Sequence, residues 1–298
     1  MKSNNITRLL LIVLSTVVLF TISCKKHPEN TRVDYNHELT TVAEYLYPQQ
    51  FTDQFILSFF KSFYDSTLRF QGITTIDSAK TTLKNSNDSL IVEMEYWTSD
   101  THLWHHIDPY RHYRCGTYQF ITDSLFMFSD TGTVTINIVK PFYYDSLQTN
   151  INNIKIVKTR GDSGNEIFNV KFENIVMDGN YANKFTWRFN ADFTYELFKD
   201  ASTPFLSNND YFLFSGNISG NLPSGDQYNV RIDTDTARYK IDYLCKYIVE
   251  GKAAFGLESE SFIDNDSLLY IDFLTEDGCN NLYQITVPGK MSTKSPIE

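Results

Sequence analysis

The stretch SLIVEMEYWT (residues 89–98) sets Leu90, Val92, Met94 and Tyr96 on one side of an alternation and Ile91, Glu93 and Glu95 on the other. A period of two is the signature of a strand with one apolar and one wetter face. From about residue 70 to residue 290 the same period recurs. Turn residues fall every 8–14 positions, with no helical segment between them. SDTG (129–132) and RGDSGN (160–165) are read as hairpin tips, and NKFTWRFNADFTYELF (183–198) as a further alternating pair. Strands are also read in DYFLFSGNIS, DQYNVRID, YKIDYLCKYIVEGKAAF, SLLYIDFL and LYQITV. Successive hairpins favour an antiparallel sheet whose neighbours in sequence are neighbours in space. The fold class expected is mainly β: a long antiparallel meander, as a curved sheet, sandwich or open barrel.

Upstream the period changes. Phe51, Phe55, Ile56, Phe59, Phe60 and Phe63 recur at helical spacing, the apolar face of an amphipathic helix lying on the sheet. Thr52 or Gln50 is expected near its start. Pro48 should divide it from a shorter helix over residues 39–47, because proline is tolerated at helix starts and not inside. High aromatic content, 23 Phe, 19 Tyr and 3 Trp, supports strands in the remainder.

The first residues have a different character. Lys2 and Arg8 precede the apolar run LLLIVLSTVVLFTI (9–22), then Ser23 and Cys24. This order describes an export signal, too short to make a good membrane span. TISC (21–24) resembles a bacterial lipobox, with Thr21 where that pattern prefers Leu. The resemblance implies cleavage before Cys24, which is joined to diacylglycerol and carries a fatty acyl group such as palmitate. The expected organisation is a signal peptide over 1–23, a tether over 24–38 and a β-rich domain with its N-terminal helix over 39–290. A boundary within that domain is most readily placed at 200–210, and 291–298 reads as a frayed tail.

Charge excludes one class of partner. Removing residues 1–23 takes away Lys2 and Arg8, leaving 24 Lys and Arg against 36 Asp and Glu, a net charge of −12. Nucleic-acid binding needs clustered cations to displace counterions, so none is expected. With Cys24 acylated, Cys115, Cys245 and Cys279 remain. Export permits a disulfide, and Cys245–Cys279 is the pairing expected. Closing that loop would add about 3–4 kcal/mol on the chain-entropy model. The alternative is three free buried thiols.

Four of six histidines collect in THLWHHIDPYRHYRC (101–115). His102, His105, His106 and His112 are the candidate metal ligands, since imidazole suits zinc and copper. Their spacing matches no standard zinc motif. In an extended chain His112 and Cys115 would point to opposite faces. A loop of partly exposed histidines is therefore the simpler reading. DTDT and DNDS lack the glycine and distal Glu of a twelve-residue calcium loop, and no Gly-x-Ser-x-Gly elbow occurs. No cofactor other than the lipid on Cys24 is expected.

The C-terminal half contains GNISGNLPSGDQYNVRI (216–232), CKYIVEGKAAF (245–255) and IDFLTEDGCNNLYQITVPGK (271–290). Together these resemble an uncharacterised family of Bacteroidota lipoproteins, with a Gly-x-x-x-Gly stretch, a Cys-Arg-x-Ile strand and a closing Gly-x-Cys-Asp-Asn. DPYRHYRCGTYQF (108–120) and KFTWRFNADFTYELFKDASTP (184–204) extend the likeness upstream. Lys246 stands where the family has Arg, Asn280 where it has Asp, and Cys115 where it has Ser. The resemblance implies a fold and an address, and no reaction. The function expected is a non-enzymatic envelope module, held on the outer membrane by its lipid, that binds a protein or glycan partner. CKKHPEN (24–30) lacks acidic residues after the lipidated cysteine, which favours the periplasm-facing leaflet. The alternative is a metal-dependent hydrolase or metal-binding protein that uses the segment from His102 to Cys115.

Overall fold

The computed structural model describes residues 37–86, 88–96, 108, 111–162, 164–179, 186–199, 204–232, 238–258, 269–273, 282–286 and 293–296. The chain divides into Met1–Thr40, of which only one helical turn is described, and Thr41–Glu298, which holds the fold.

One helix, α1 (His37–Tyr64), precedes the short α2 (Ser66–Gln71). Asp65 caps α2, its side chain accepting from the Leu68 N–H, and Gly72 in the left-handed region ends it. The sheet begins with β1 (Ile73–Ile76), β2 (Ala79–Ser86) and β3 (Ser89–Tyr96). It continues through β4 (Arg114–Asp123), β5 (Gly132–Tyr144), β6 (Leu147–Thr149), β7 (Ile154–Arg160) and β8 (Glu166–Gly179). Then come β9 (Thr186–Phe198), β10 (Tyr211–Asn221), β11 (Gln227–Ile232), β12 (Tyr239–Asp242) and β13 (Ile248–Glu258). It ends with β14 (Leu269–Phe273), β15 (Leu282–Thr286) and β16 (Thr293–Pro296). All pair antiparallel in one sheet, with β7 bridging β5 and β8, and β12 bridging β10 and β13. The mainly-β meander expected from the alternation is the fold.

The sheet curls around α1. Phe55 packs on Tyr118 and Phe120 of β4 and on Phe172 of β8. Phe60 stacks on Phe212 of β10 at 4.2 Å between ring centroids and meets Phe168 of β8 edge-on. Tyr45 reaches Tyr228 of β11 and Phe255 of β13. Every residue from 48 to 64 is buried, the polar ones included. A helix enclosed on all sides has no solvent face to keep polar, so its polar residues must find partners inside.

Four local expectations change. Pro48 lies within α1 and does not divide two helices. Its missing N–H would have bonded the carbonyl of Glu44, and the indole N–H of Trp187 takes that acceptor at 3.0 Å. Residues 124–128 form a turn rather than a strand, and Phe126 folds down onto Phe59 and Phe63. The segment 186–198 is one strand, not a pair. Thr293–Pro296, read as a frayed end, pairs with β15. Across the boundary considered at 200–210 the sheet is unbroken, since β9 and β10 pair along eleven register positions.

Candidate functional site

The two flanks of the curled sheet come together over one stripe of α1: Gln54, Ser58 and Lys61. From the N-terminal flank comes the β1–β2 hairpin. Ile76 pairs with Ala79, leaving a two-residue turn of Asp77 and Ser78 at φ +47° and +67°. Two positive φ values are what a type I′ turn requires, a geometry usually supplied by Asn-Gly. Here Asp-Ser fills it, and the Asp77 carboxylate turns inward onto Lys61 and the Ser58 hydroxyl (2.8 Å). From the opposite flank comes the β12–β13 connection. Lys246 O accepts from Gln54 Nε2 at 3.0 Å, and Lys246 N donates to Asp242 O at 2.9 Å. Asp242 Oδ1 accepts from the N–H groups of Leu244 and Cys245 at 2.9 and 3.3 Å, which fixes the turn.

Between these flanks lies a cleft of about 550 Å³ lined by Asp77, Ser78, Asp108, Leu244, Cys245, Lys246 and Tyr247. Its floor is a buried ionic network. Arg114 donates to Ser58 Oγ (2.9 Å), Tyr96 OH (3.1 Å) and Asp108 Oδ2 (3.2 Å). Tyr144 OH donates to the same Asp108 oxygen at 3.0 Å, and the His112 N–H to its other oxygen at 2.9 Å. The Asp108 and Arg114 side chains are 1% and 3% exposed. Burial raises the Asp77 carboxyl, but Lys61, Arg114 and Ser58 outweigh it, so its pKa ends below the usual carboxylate range.

His112 stands beside the network rather than in the cleft. Its Nδ1 lies 2.5 Å from Asp145 Oδ2 and its Nε2 2.6 Å from Gln50 Oε1. Asp145 occupies a second Asp-Ser turn, at φ +50° with Ser146 at +68°, and its carboxylate also accepts from Tyr113 N–H and Tyr47 OH. Both ring nitrogens are engaged, so His112 as placed offers no lone pair to a metal. Among the described residues no group of three or more His, Cys, Asp and Glu converges as a metal site would require. His102, His105 and His106 lie outside the described residues, as do Cys24 and Cys279. Cys115 is free and buried, and burial pushes its thiol pKa up, away from nucleophilic character. Cys245 is disulfide-bonded. The structure thus joins Cys245 to a site with Lys61, Asp77, Asp108 and Arg114, none of which the sequence singled out. The available signal was Lys61 interrupting a Phe-rich helix.

A second polar group sits deeper. Asp53, 1% exposed, accepts from Gln49 Nε2 at 2.8 Å through Oδ1, while Oδ2 has no partner among the described residues. Burial pushes this carboxyl well above its usual range, and the Gln49 amide offsets only part of that. The hydroxyls of Tyr228 and Tyr239 and the Gln54 Oε1 are buried without hydrogen-bond partners among the described residues. No family model, curated protein or solved structure matches this chain.

Proposed function

We propose that the chain is a lipid-anchored envelope protein, acylated on Cys24, whose β domain is a non-enzymatic binding module with the seam cleft as its recognition site. The basic start, the apolar run 9–22 and TISC support the anchor, and the polar segment after Cys24 supports a tether. The resemblance to Bacteroidota lipoproteins supports an outer-membrane address, and the absence of acidic residues directly after Cys24 supports the periplasm-facing leaflet.

One observation carries binding over catalysis. Among the described residues, each charged group in the cleft floor is committed to a structural partner: Asp77 to Lys61 and Ser58, Asp108 to Arg114, Tyr144 and His112 N–H. Acid–base or nucleophilic catalysis needs a group free to give or take a proton at the reacting atom. A saturated floor instead offers a rigid surface with fixed donors and acceptors. The experiment has two readouts. Cells expressing the full chain are labelled with an alkyne palmitate analogue, and a Cys24→Ala variant is compared. Label and membrane association should both vanish with Cys24→Ala. Label retained in that variant would refute the anchor. Recovery of the same envelope partners by a cleft-blocked Leu244→Trp variant and by wild type would refute the cleft as the binding site.

A further inference from the structure

We propose that the turn between β4 and β5 is a docking knob for a partner protein, and that the segment it takes is apolar and flanked by Lys or Arg. The knob shares no residue with the seam cleft, so this inference goes beyond the reading of that cleft and does not rest on it.

The N–H groups of Phe128 and Ser129 both donate to Leu125 O, at 2.8 and 2.9 Å, which winds residues 124–128 into one helix-like turn. Side chains three apart on such a turn share a face. Leu125 and Phe128 lie on the outer one, 65% and 84% exposed, while Phe126 turns inward and is fully buried. The turn is braced from below. Phe126 packs on Phe59 and Phe63, and Lys158 Nζ donates to Phe126 O at 3.1 Å. Asp123 Oδ1 accepts from Leu125 N–H at 3.0 Å, and Ser129 Oγ donates to Thr131 O at 2.6 Å. A single exposed apolar residue is ordinary. Two large ones fixed on one face of a braced turn form a patch whose shape is set before binding, which lowers the ordering cost of docking.

Charge around the patch selects the occupant. Asp88 lies against the turn, its carbonyl accepting from Ser124 N–H at 2.8 Å, and Asp123 begins it. Asp162 stands two residues beyond Arg160, which reaches Asp130 at 2.8 Å just past the turn. Asp88, Asp123 and Asp162 are exposed, and among the described residues none of them has a cationic partner. The nearby cations are engaged, Arg160 by Asp130 and Lys158, 3% exposed, by Glu166. An apolar knob rimmed by three unmatched carboxylates complements a protein surface that sets apolar side chains between basic ones. Other occupants meet repulsion. A second copy docked through the same face would set carboxylate against carboxylate, and so would a bilayer with anionic headgroups.

The test is photo-cross-linking from the knob. The full lipidated chain carrying Phe128→benzoylphenylalanine is expressed in its native host and irradiated, and the joined peptide is sequenced by mass spectrometry. The expected product is a segment of another protein in which Lys and Arg outnumber Asp and Glu around apolar residues. Leu125→Ser in the same chain should lower its yield by about tenfold, the effect of losing a central apolar anchor. Asp88→Asn/Asp123→Asn/Asp162→Asn should lower it by about tenfold as well, three exposed charge pairs each contributing a little. Asn at 123 keeps the oxygen that the Leu125 N–H needs, so the turn is retained. Leu244→Trp, on the cleft lip, should leave the yield unchanged, which separates this surface from the cleft. A cross-link to this chain itself or to lipid would assign the knob to a second copy or to the membrane and overturn the proposal. An acidic partner segment, an equal yield of the same product from a probe at exposed Asn229 of β11, yields unchanged in both knob variants, or no product at all would overturn it too.

Discussion

Asp53 is an acid whose ionisation folding opposes. Its carboxyl is buried on α1 with Tyr45 and Tyr239 close enough to feel its charge, so ionisation would place an unpaired charge in the interior. The unfolded chain has no such restraint and ionises near pH 3.9. Above that pH the folded state holds the extra proton, so stability contributed by Asp53 is complete below pH 4 and falls as pH rises. Asp53→Asn keeps the shape and removes the titration. It should be more stable than wild type at pH 7, and the two should converge toward pH 4. Urea melts at pH 4, 5.5 and 7 measure this, and a constant difference across them would refute it. Arg114 behaves oppositely, because it is already paired. Arg114→Ala leaves Asp108 buried without its cation and should cost about 3–5 kcal/mol, a drop of about 6–20 °C in Tm. Neutralising both partners in Arg114→Met/Asp108→Asn should recover part of that loss. Neither residue was legible as a structural charge. In sequence Asp53 reads as part of a helix's wet face, and Arg114 as part of a polar loop.

At the scale of elements, α1 shows why a correct periodicity gave an incomplete helix. The Phe spacing places the apolar stripe correctly, and Phe51, Phe55, Phe59, Phe60 and Phe63 are all at most 3% exposed. What periodicity cannot show is a sheet long enough to cover the other faces as well, because that depends on partners far away in the chain. Pro48 follows the same logic. Local rules end a helix there, but Trp187 of β9 supplies the donor that proline removes. The two devices should be coupled. Trp187→Phe should destabilise wild type by about 1 kcal/mol, the worth of one hydrogen bond. In a Pro48→Ala background the restored N–H can reach Glu44 O itself, so the same substitution should cost clearly less. A double-mutant cycle by denaturant unfolding reads the difference, and an additive result would refute the coupling. The hairpin from β7 to β8 was legible in RGDSGN because its turn residues are the usual ones. The Asp77–Ser78 and Asp145–Ser146 turns were not, since Asp-Ser reaches positive φ only with help. That help comes from Lys61 and Ser58 in one case, and from His112 and Tyr113 N–H in the other.

The molecule as a whole is organised so that α1 cannot be buried by part of the sheet. Phe55 needs β4 and β8, Phe60 needs β8 and β10, Tyr45 needs β11 and β13, and Gln54 needs the turn before β13. A chain ending near residue 200 would leave the Phe60 and Tyr45 faces of the helix in water. A chain beginning near 210 would have a sheet with no helix to cover. Losing one such large aromatic contact costs about 3–5 kcal/mol, and marginal stability of about 5–15 kcal/mol cannot absorb several at once. The composition shift at 200–210 therefore falls within one cooperative unit. Calorimetry of the full chain should show one unfolding transition with equal calorimetric and van't Hoff enthalpies. Phe60→Ala should move that whole transition downward without splitting it. Two transitions in wild type, or a Phe60→Ala effect confined to one of them, would mean that the halves on either side of 200–210 fold independently and that α1 serves only one.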